Sequence, residues 1–259
     1  MASGQIAKLF SRKMLKYLLM MREAKLMTLA RLVVAPIFHA LYYPLFWPKF
    51  RGRKNFAKVK NQPLIIVGNH ISPLDAVTVG ILSPRNLHYF AKNDLENGIL
   101  GKLIFRHLGL ILINRDIKSH ATHQGEKLLA NRMAIAVFPE GTCRAEYKKF
   151  NELLPFKVGA AKMAVDTGAA VLPVATCGKY RPGKLKIVVG APLHFAKNTS
   201  VDEANETIRE TIFGLMKENG VRDVRKLAGK PAQNPAKNPP IVDENPANNI
   251  KKIKSKEAK

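Results

Sequence analysis

A series of short apolar runs through the middle of the chain sets the strongest limit on its fold. Leu64 to Val67, Leu87 to Ala91, Leu110 to Ile113, Ile135 to Phe138, Val171 to Ala175 and Ile187 to Val189 are continuous in apolarity rather than alternating. A strand with one wet face alternates with period two, whereas a strand covered on both faces does not. The stretches between, Leu95 to His107, His120 to Asn131 and Lys157 to Asp166, have the length and spacing of helices, and a last helix is predicted over Val201 to Lys217. Buried strands alternating with helices predict an α/β fold, a mixed β-sheet covered by helices.

A chain of 259 residues suits one sizeable core with extensions at its ends. The expected division is an attachment segment over residues 1–55, a catalytic domain over 56–225 and a tail over 226–259. From Ile6 to Phe50 the sequence is apolar and basic at once, with Met14, Leu15, Leu18, Leu19, Met21 and Leu26 interleaved by Lys13, Lys16, Arg22 and Lys25. This pattern predicts an amphipathic helix lying on a membrane surface. The uncharged run from Leu32 to Pro48 approaches the length of a bilayer crossing but is broken by Pro36, Pro44 and Pro48. Basic residues stand on both sides of it, Arg22, Lys25 and Arg31 before and Lys49, Arg51, Arg53 and Lys54 after. Both ends therefore favour the cytoplasmic side, and a monotopic helix at the cytoplasmic face fits better than a spanning one. Tyr42, Tyr43 and Trp47 suit the headgroup level. Beyond Arg225 the chain is rich in Pro, Asn, Ala and Lys and has little to bury, so the tail is expected to be disordered. Its terminal lysines are compatible with membrane attraction and equally with a solvated tail.

The formal charge of +24 implies a polyanionic partner. No zinc-finger spacing or RNA-binding aromatic signature accompanies the basic residues, which favours lipid over nucleic acid. Cys143 and Cys177 exclude a disulfide scaffold and have no metal or redox spacing.

Two segments carry chemistry. Gly68-Asn69-His70-Ile71-Ser72-Pro73-Leu74-Asp75 follows the first apolar strand directly. Ser72 is a suitable N-cap and Pro73 suits the first helical position, which puts Asp75 in the first turn of a helix. From there it reaches back to one imidazole nitrogen of His70 and leaves the other as a general base. The same residues also read as a capping box with a satisfied loop histidine. The second segment, Phe138-Pro139-Glu140-Gly141-Thr142-Cys143-Arg144, again follows a strand and by itself reads as a turn.

Taken together, these blocks resemble the glycerolipid acyltransferase family typified by 1-acyl-glycerol-3-phosphate acyltransferase. His70 to Asp75, preceded by Asn69, matches its H-x4-D block, Ala91-Lys92-Asn93-Asp94-Leu95 leads to a G-x-x-x-I-x-R block at Gly109 to Arg115, Phe138 to Thr142 matches F-P-E-G-T, and Val171 to Val174 matches an apolar V-x-P-V block. The order and spacing agree over about Pro63 to Val189. The resemblance implies that His70 deprotonates an acceptor hydroxyl while Asp75 orients it, with the acyl chain coming from acyl-CoA or acyl carrier protein as co-substrate. It implies no metal, cofactor or covalent enzyme intermediate. Asn69, Lys92, Arg115, Glu140, Gly141, Thr142 and Arg144 would form the acceptor site, and the acceptor would be the sn-2 hydroxyl of lysophosphatidate. Each cation taken singly also reads as a solvated surface residue. One position departs from the family: Cys143 stands where an arginine is usual, and Arg144 comes one residue later. Other acceptors, glycerol 3-phosphate or a head-group lysophospholipid, and a noncatalytic basic membrane-binding protein are the competing readings.

Overall fold

A computed structural model describes residues 32, 36–37, 39–92, 110–113, 118–143, 152–221 and 225–226. The first part of the expected amphipathic segment, the expected helix at Leu95 to His107, the residues Arg115 and Arg144, and the tail beyond Lys226 lie outside the described residues.

The strands are β1 (Lys49–Arg51), β2 (Leu64–Gly68), β3 (Leu87–Lys92), β4 (Leu110–Ile113), β5 (Ala134–Val137), β6 (Glu152–Leu153), β7 (Ala170–Gly178), β8 (Leu185–Val189) and β9 (Arg225–Lys226). The helices are α1 (Leu74–Leu82), α2 (Lys118–Ala130), α3 (Gly159–Thr167) and α4 (Val201–Glu218), with a 3-10 helix at Arg53–Val59. Among the described residues the main sheet has seven strands in the order β1-β8-β7-β2-β5-β3-β4. Strands β7, β2, β5, β3 and β4 run parallel to one another, while β8 is antiparallel to β7 and β1 parallel to β8. The sheet is mixed, as its sequence pattern predicts.

Every residue of β2 is buried, and the strand sits between β5 and β7. Its side chains serve two cores in alternation. Ile65 and Val67 join one cluster with Ile135, Val171, Ala164, Ile208 and Ile212, beneath α3 and α4. Leu64 and Ile66 join the other with Val79, Leu82, Phe56, Val59 and Tyr42, beneath α1 and the 3-10 helix. Truncating a side chain such as Ile65 to alanine in such a core costs about 2–5 kcal/mol. α4 opens with Ser200 in extended backbone, its side chain accepting the Glu203 N–H, and with Asp202 and Glu203 in the first turn, as a helix N-terminus favours.

Strand β1 and the pair β6 and β9 carry no apolar pattern and were not foreseen. β1 is short and pairs Phe50 with Ile187, so residues assigned to the attachment segment belong to the sheet, and the α/β unit begins before residue 56. β6 and β9 form a separate two-stranded sheet. Residues 39–46 are helical and one-sided. Tyr42 packs into the core and Phe46 against it, while Ile37, Leu41, Leu45 and Trp47 are exposed.

Candidate functional site

The parallel register of β2 with its neighbours builds the site. Val67 lies opposite Val137 of β5, and Gly68 opposite Val174 of β7. The carboxyl ends of the strands thus open on one edge of the sheet, where sites in α/β folds commonly form. The approach to Gly68 is close: a Cβ on it would meet the Phe138 ring at 3.2 Å, so the ring would have to give by a few tenths of an ångström, and the Val174 carbonyl oxygen at 3.4 Å. The Phe138 ring stacks on the His70 imidazole, centroids 4.7 Å apart and planes at 22°.

Asp75 is fully buried and its two oxygens collect four donors. Oδ2 accepts from the Ile71 N–H at 2.7 Å, the Ser72 N–H at 2.8 Å and His70 Nδ1 at 3.0 Å. Oδ1 accepts from the Tyr180 hydroxyl at 2.7 Å. A carboxylate only accepts, so the His70 proton sits on Nδ1 and Nε2 keeps its lone pair. Nε2 has no hydrogen-bond partner among the described residues, and the side chain is 21% exposed. The two readings of this segment therefore coexist: the Ser72 N–H on Asp75 is the back-reaching half of a capping box, and the same oxygen orients the imidazole. The cap lies one residue later than expected. Pro73 occupies it in helical dihedrals, and Ser72 Oγ accepts from the Leu74 N–H at 3.2 Å.

Two residues expected in the acceptor site are buried and bonded to main chain. Asn69 is fully buried; its Nδ2 donates to the Thr176 carbonyl at 2.9 Å and its Oδ1 accepts the Thr176 N–H at 2.7 Å. It extends the β2–β7 pairing past the end of β2 by side chain instead of main chain. Glu140 is buried too, with Oε1 on the His70 N–H at 2.8 Å and Oε2 on the Leu154 N–H at 3.2 Å. Through these two bonds Glu140 ties the His70 loop to the chain at Leu154.

Gly141 is exposed in the same turn, in the left-handed region at φ +70, where a side chain is strained. The end of the Lys157 side chain lies over it, since a Cβ there would meet Lys157 Nζ at 2.5 Å. Thr142 follows, partly buried, and then Cys143, which is buried. Cys143 and Cys177 are not disulfide-bonded. Lys92 ends β3, beside β5 on the same sheet. Among the described residues no group of three or more His, Cys, Asp and Glu side chains has the arrangement to hold a metal ion.

The sequence reading missed Lys157 and Tyr180. Lys157 comes straight after the apolar Phe156 and reads as a surface cation; only the Lys157 N–H on the Pro139 carbonyl, 2.9 Å, brings it over Gly141. Tyr180 lies in the turn after β7, where a tyrosine gives no signal of its own.

The geometry defines an α/β domain with a carboxylate-oriented imidazole at the carboxyl edge of its sheet. Comparison with known proteins makes that class specific. Residues 48–176 match the family model described as Acyltransferase, and the chain belongs to this acyltransferase family. It is 28% identical over 141 residues to the 1-acyl-sn-glycerol-3-phosphate acyltransferase of Bacillus subtilis, covering 51% of this chain and 67% of that one. To the protein of the same name from Haemophilus influenzae it is 31% identical over 148 residues, covering 55% and 59%. To that of Borreliella burgdorferi it is 31% identical over 126 residues, or 48% of each. The chain thus spans between about half and two thirds of these curated relatives, from 48% to 67%. The crystal structure of the 1-acyl-sn-glycerophosphate (LPA) acyltransferase PlsC from Thermotoga maritima superposes with a TM-score of 0.57 at 25% identity, covering 68% of this chain and 73% of that one.

Proposed function

We propose that this chain transfers a fatty acyl group from the thioester of acyl-CoA or acyl carrier protein to the sn-2 hydroxyl of lysophosphatidate, giving phosphatidate. The observation that carries the reading is the Nδ1 of His70 on Oδ2 of Asp75 at 3.0 Å, with Nε2 left without a hydrogen-bond partner among the described residues. Nε2 takes the proton of the acceptor hydroxyl as its oxygen attacks the thioester carbonyl. The tetrahedral intermediate expels the thiolate, which recovers the proton from His70. Asp75 holds the tautomer and balances the charge that forms on the imidazole. Holding hydroxyl and thioester together supplies much of the remaining acceleration.

An acceptor phosphate requires cations and N–H donors. Lys157, over Gly141, brings an ammonium group to the turn that carries Cys143 in place of the usual arginine. Lys92, Arg115, Thr142 and Arg144 complete the proposed acceptor site, while Asn69 and Glu140 support it from inside.

The enzyme works at the cytoplasmic face of a membrane as a peripheral or monotopic protein. Supporting this, Ile37, Leu41 and Leu45 recur every fourth residue on the outer face of the helical segment, and Trp47 beside them is 73% exposed. Lys49, Arg51, Arg53 and Lys54 follow immediately and suit anionic headgroups. Among the described residues no helix is long and apolar enough to cross a membrane.

The test is acyl transfer from radiolabelled palmitoyl-CoA by the detergent-solubilised protein, with lysophosphatidate, glycerol 3-phosphate and lysophosphatidylethanolamine as parallel acceptors. Phosphatidate from lysophosphatidate, lost in His70→Ala, is the expected result. Transfer to another acceptor alone would revise the substrate, and full activity in His70→Ala would remove the assigned base.

A further inference from the structure

Tyr180 joins a largely buried chain of hydroxyl groups to Asp75. Its hydroxyl donates to Asp75 Oδ1 at 2.7 Å and lies 2.9 Å from Thr78 Oγ1. Thr78 Oγ1 lies 2.6 Å from the Tyr42 hydroxyl and donates to the Leu74 carbonyl at 2.9 Å. The carboxylate fixes the direction of the whole chain. Because Asp75 only accepts, Tyr180 spends its hydrogen there, and the hydrogen between Thr78 and Tyr180 must be that of Thr78, shared with the Leu74 carbonyl. Thr78 then accepts from Tyr42. Burial, and next the Asp75 carboxylate, push the Tyr180 hydroxyl well above the ordinary tyrosine range, so it remains a donor.

The far end of this chain is on the helical segment at residues 39–46. Tyr42 is 4% exposed and points into the core, while Leu41 and Leu45 of the same segment are exposed. The same segment grips Tyr180 in two further ways. The Phe46 ring meets the Tyr180 ring edge-on, centroids 5.4 Å apart at 87°, and the Phe46 carbonyl accepts the Gly183 N–H at 3.0 Å in the turn that carries Tyr180.

We propose that Tyr180 is a positioning residue for the Asp75–His70 pair, and that Thr78 and Tyr42 extend its hold to the helical segment, so that the seating of that segment sets the orientation of the carboxylate. This rests on the reading of His70 as the base. A helix whose outer face is apolar and whose inner face ends on the catalytic carboxylate links how the protein sits on lipid to how its histidine is aimed.

The experiment measures kcat and KM for palmitoyl-CoA and lysophosphatidate against pH on the full chain in mixed micelles, for wild type, Tyr180→Phe, Thr78→Val, Tyr42→Phe and His70→Ala. Phenylalanine keeps the ring packing of both tyrosines. Tyr180→Phe is expected to lower kcat by about tenfold to a hundredfold, the effect of one hydrogen bond to a charged group, with KM changed by less than about twofold. It is also expected to move the rise of activity to higher pH. The groups that face this pair are Tyr180 and Tyr42 toward Asp75, and Glu140 through the His70 N–H. Relieved of one donor, the carboxylate attracts a proton on the imidazole more strongly. Thr78→Val and Tyr42→Phe should move the same rise in the same direction by smaller amounts, and Tyr42→Phe combined with Tyr180→Phe should lose no more than Tyr180→Phe alone. An unmoved rise, whether kcat stays at wild-type level or falls together with melting temperature, would overturn the positioning role. Additive losses in the double variant would overturn the extension to the helical segment. Activity in His70→Ala would instead remove the base assignment on which the proposal stands.

Discussion

Glu140 Oε1 accepts the backbone N–H of His70 at 2.8 Å, a bond across 70 residues of sequence that joins the two chemistry-bearing loops. The second loop thus holds the first from inside the sheet edge, and the histidine is fixed at its main chain by Glu140 and at its ring by Asp75.

Glu140→Ala leaves the His70 and Leu154 N–H groups without their acceptor. Each buried donor so orphaned costs about 1–3 kcal/mol. Chemical denaturation should show the summed loss, and kcat should fall while KM for lysophosphatidate changes little. A raised KM with unchanged kcat would return Glu140 to the substrate site.

Asn69→Asp should be more damaging than Asn69→Ala. Alanine forfeits both bonds to Thr176, but aspartate also sets a carboxylate oxygen against the Thr176 carbonyl where an amide donor stood. Melting temperatures in the order wild type, alanine, aspartate are expected, and an aspartate variant as stable as wild type would contradict the clamp.

Lys157→Met keeps an unbranched side chain of nearly the same length and removes its charge. In the proposed acceptor site it should raise KM for lysophosphatidate by about tenfold, as expected for one charge-assisted contact, and leave KM for palmitoyl-CoA within about twofold. Equal changes in both constants would place Lys157 outside acceptor recognition.

Leu41→Glu with Leu45→Glu puts carboxylates on the exposed apolar face without touching Tyr42. Binding to vesicles containing anionic lipid should fall, measured by co-sedimentation, while the melting temperature in detergent holds. Undiminished binding would move membrane attachment to another surface.

The Tyr42 hydroxyl is pushed up to about 12, chiefly by burial, from the ordinary 10.0. Below pH 10 both folded and unfolded chains hold this proton; between about 10 and 12 the unfolded chain releases it and the folded chain does not. Stability should therefore decline as pH rises through that window. Urea unfolding at successive pH values should give a shallower decline for Tyr42→Phe, and an equal slope would show that burial of this hydroxyl does not contribute.

β2, β5 and β7 were legible in sequence because burial on both faces leaves continuous apolar runs, and β4 was placed at its observed bounds, Leu110–Ile113. His70 and Asp75 were legible because both lie in one short segment at a strand end, where local backbone rules fix their approach. β1 was not, since its three residues carry no pattern and owe their place to pairing with β8.

What the sequence determined by itself was local: which segments form the central strands, that a helix carrying Asp75 in its first turn follows the first of them, and that an imidazole and a carboxylate meet there. What only the tertiary structure decided was the division of labour among the other polar residues. Asn69, Glu140, Lys157 and Tyr180 each owe their role to a partner in a distant segment: Thr176 for Asn69, His70 for Glu140, Gly141 for Lys157 and Asp75 for Tyr180. The parallel order of β2, β5 and β7 brings their loops to one edge, and no periodicity in a sequence records which strands become neighbours.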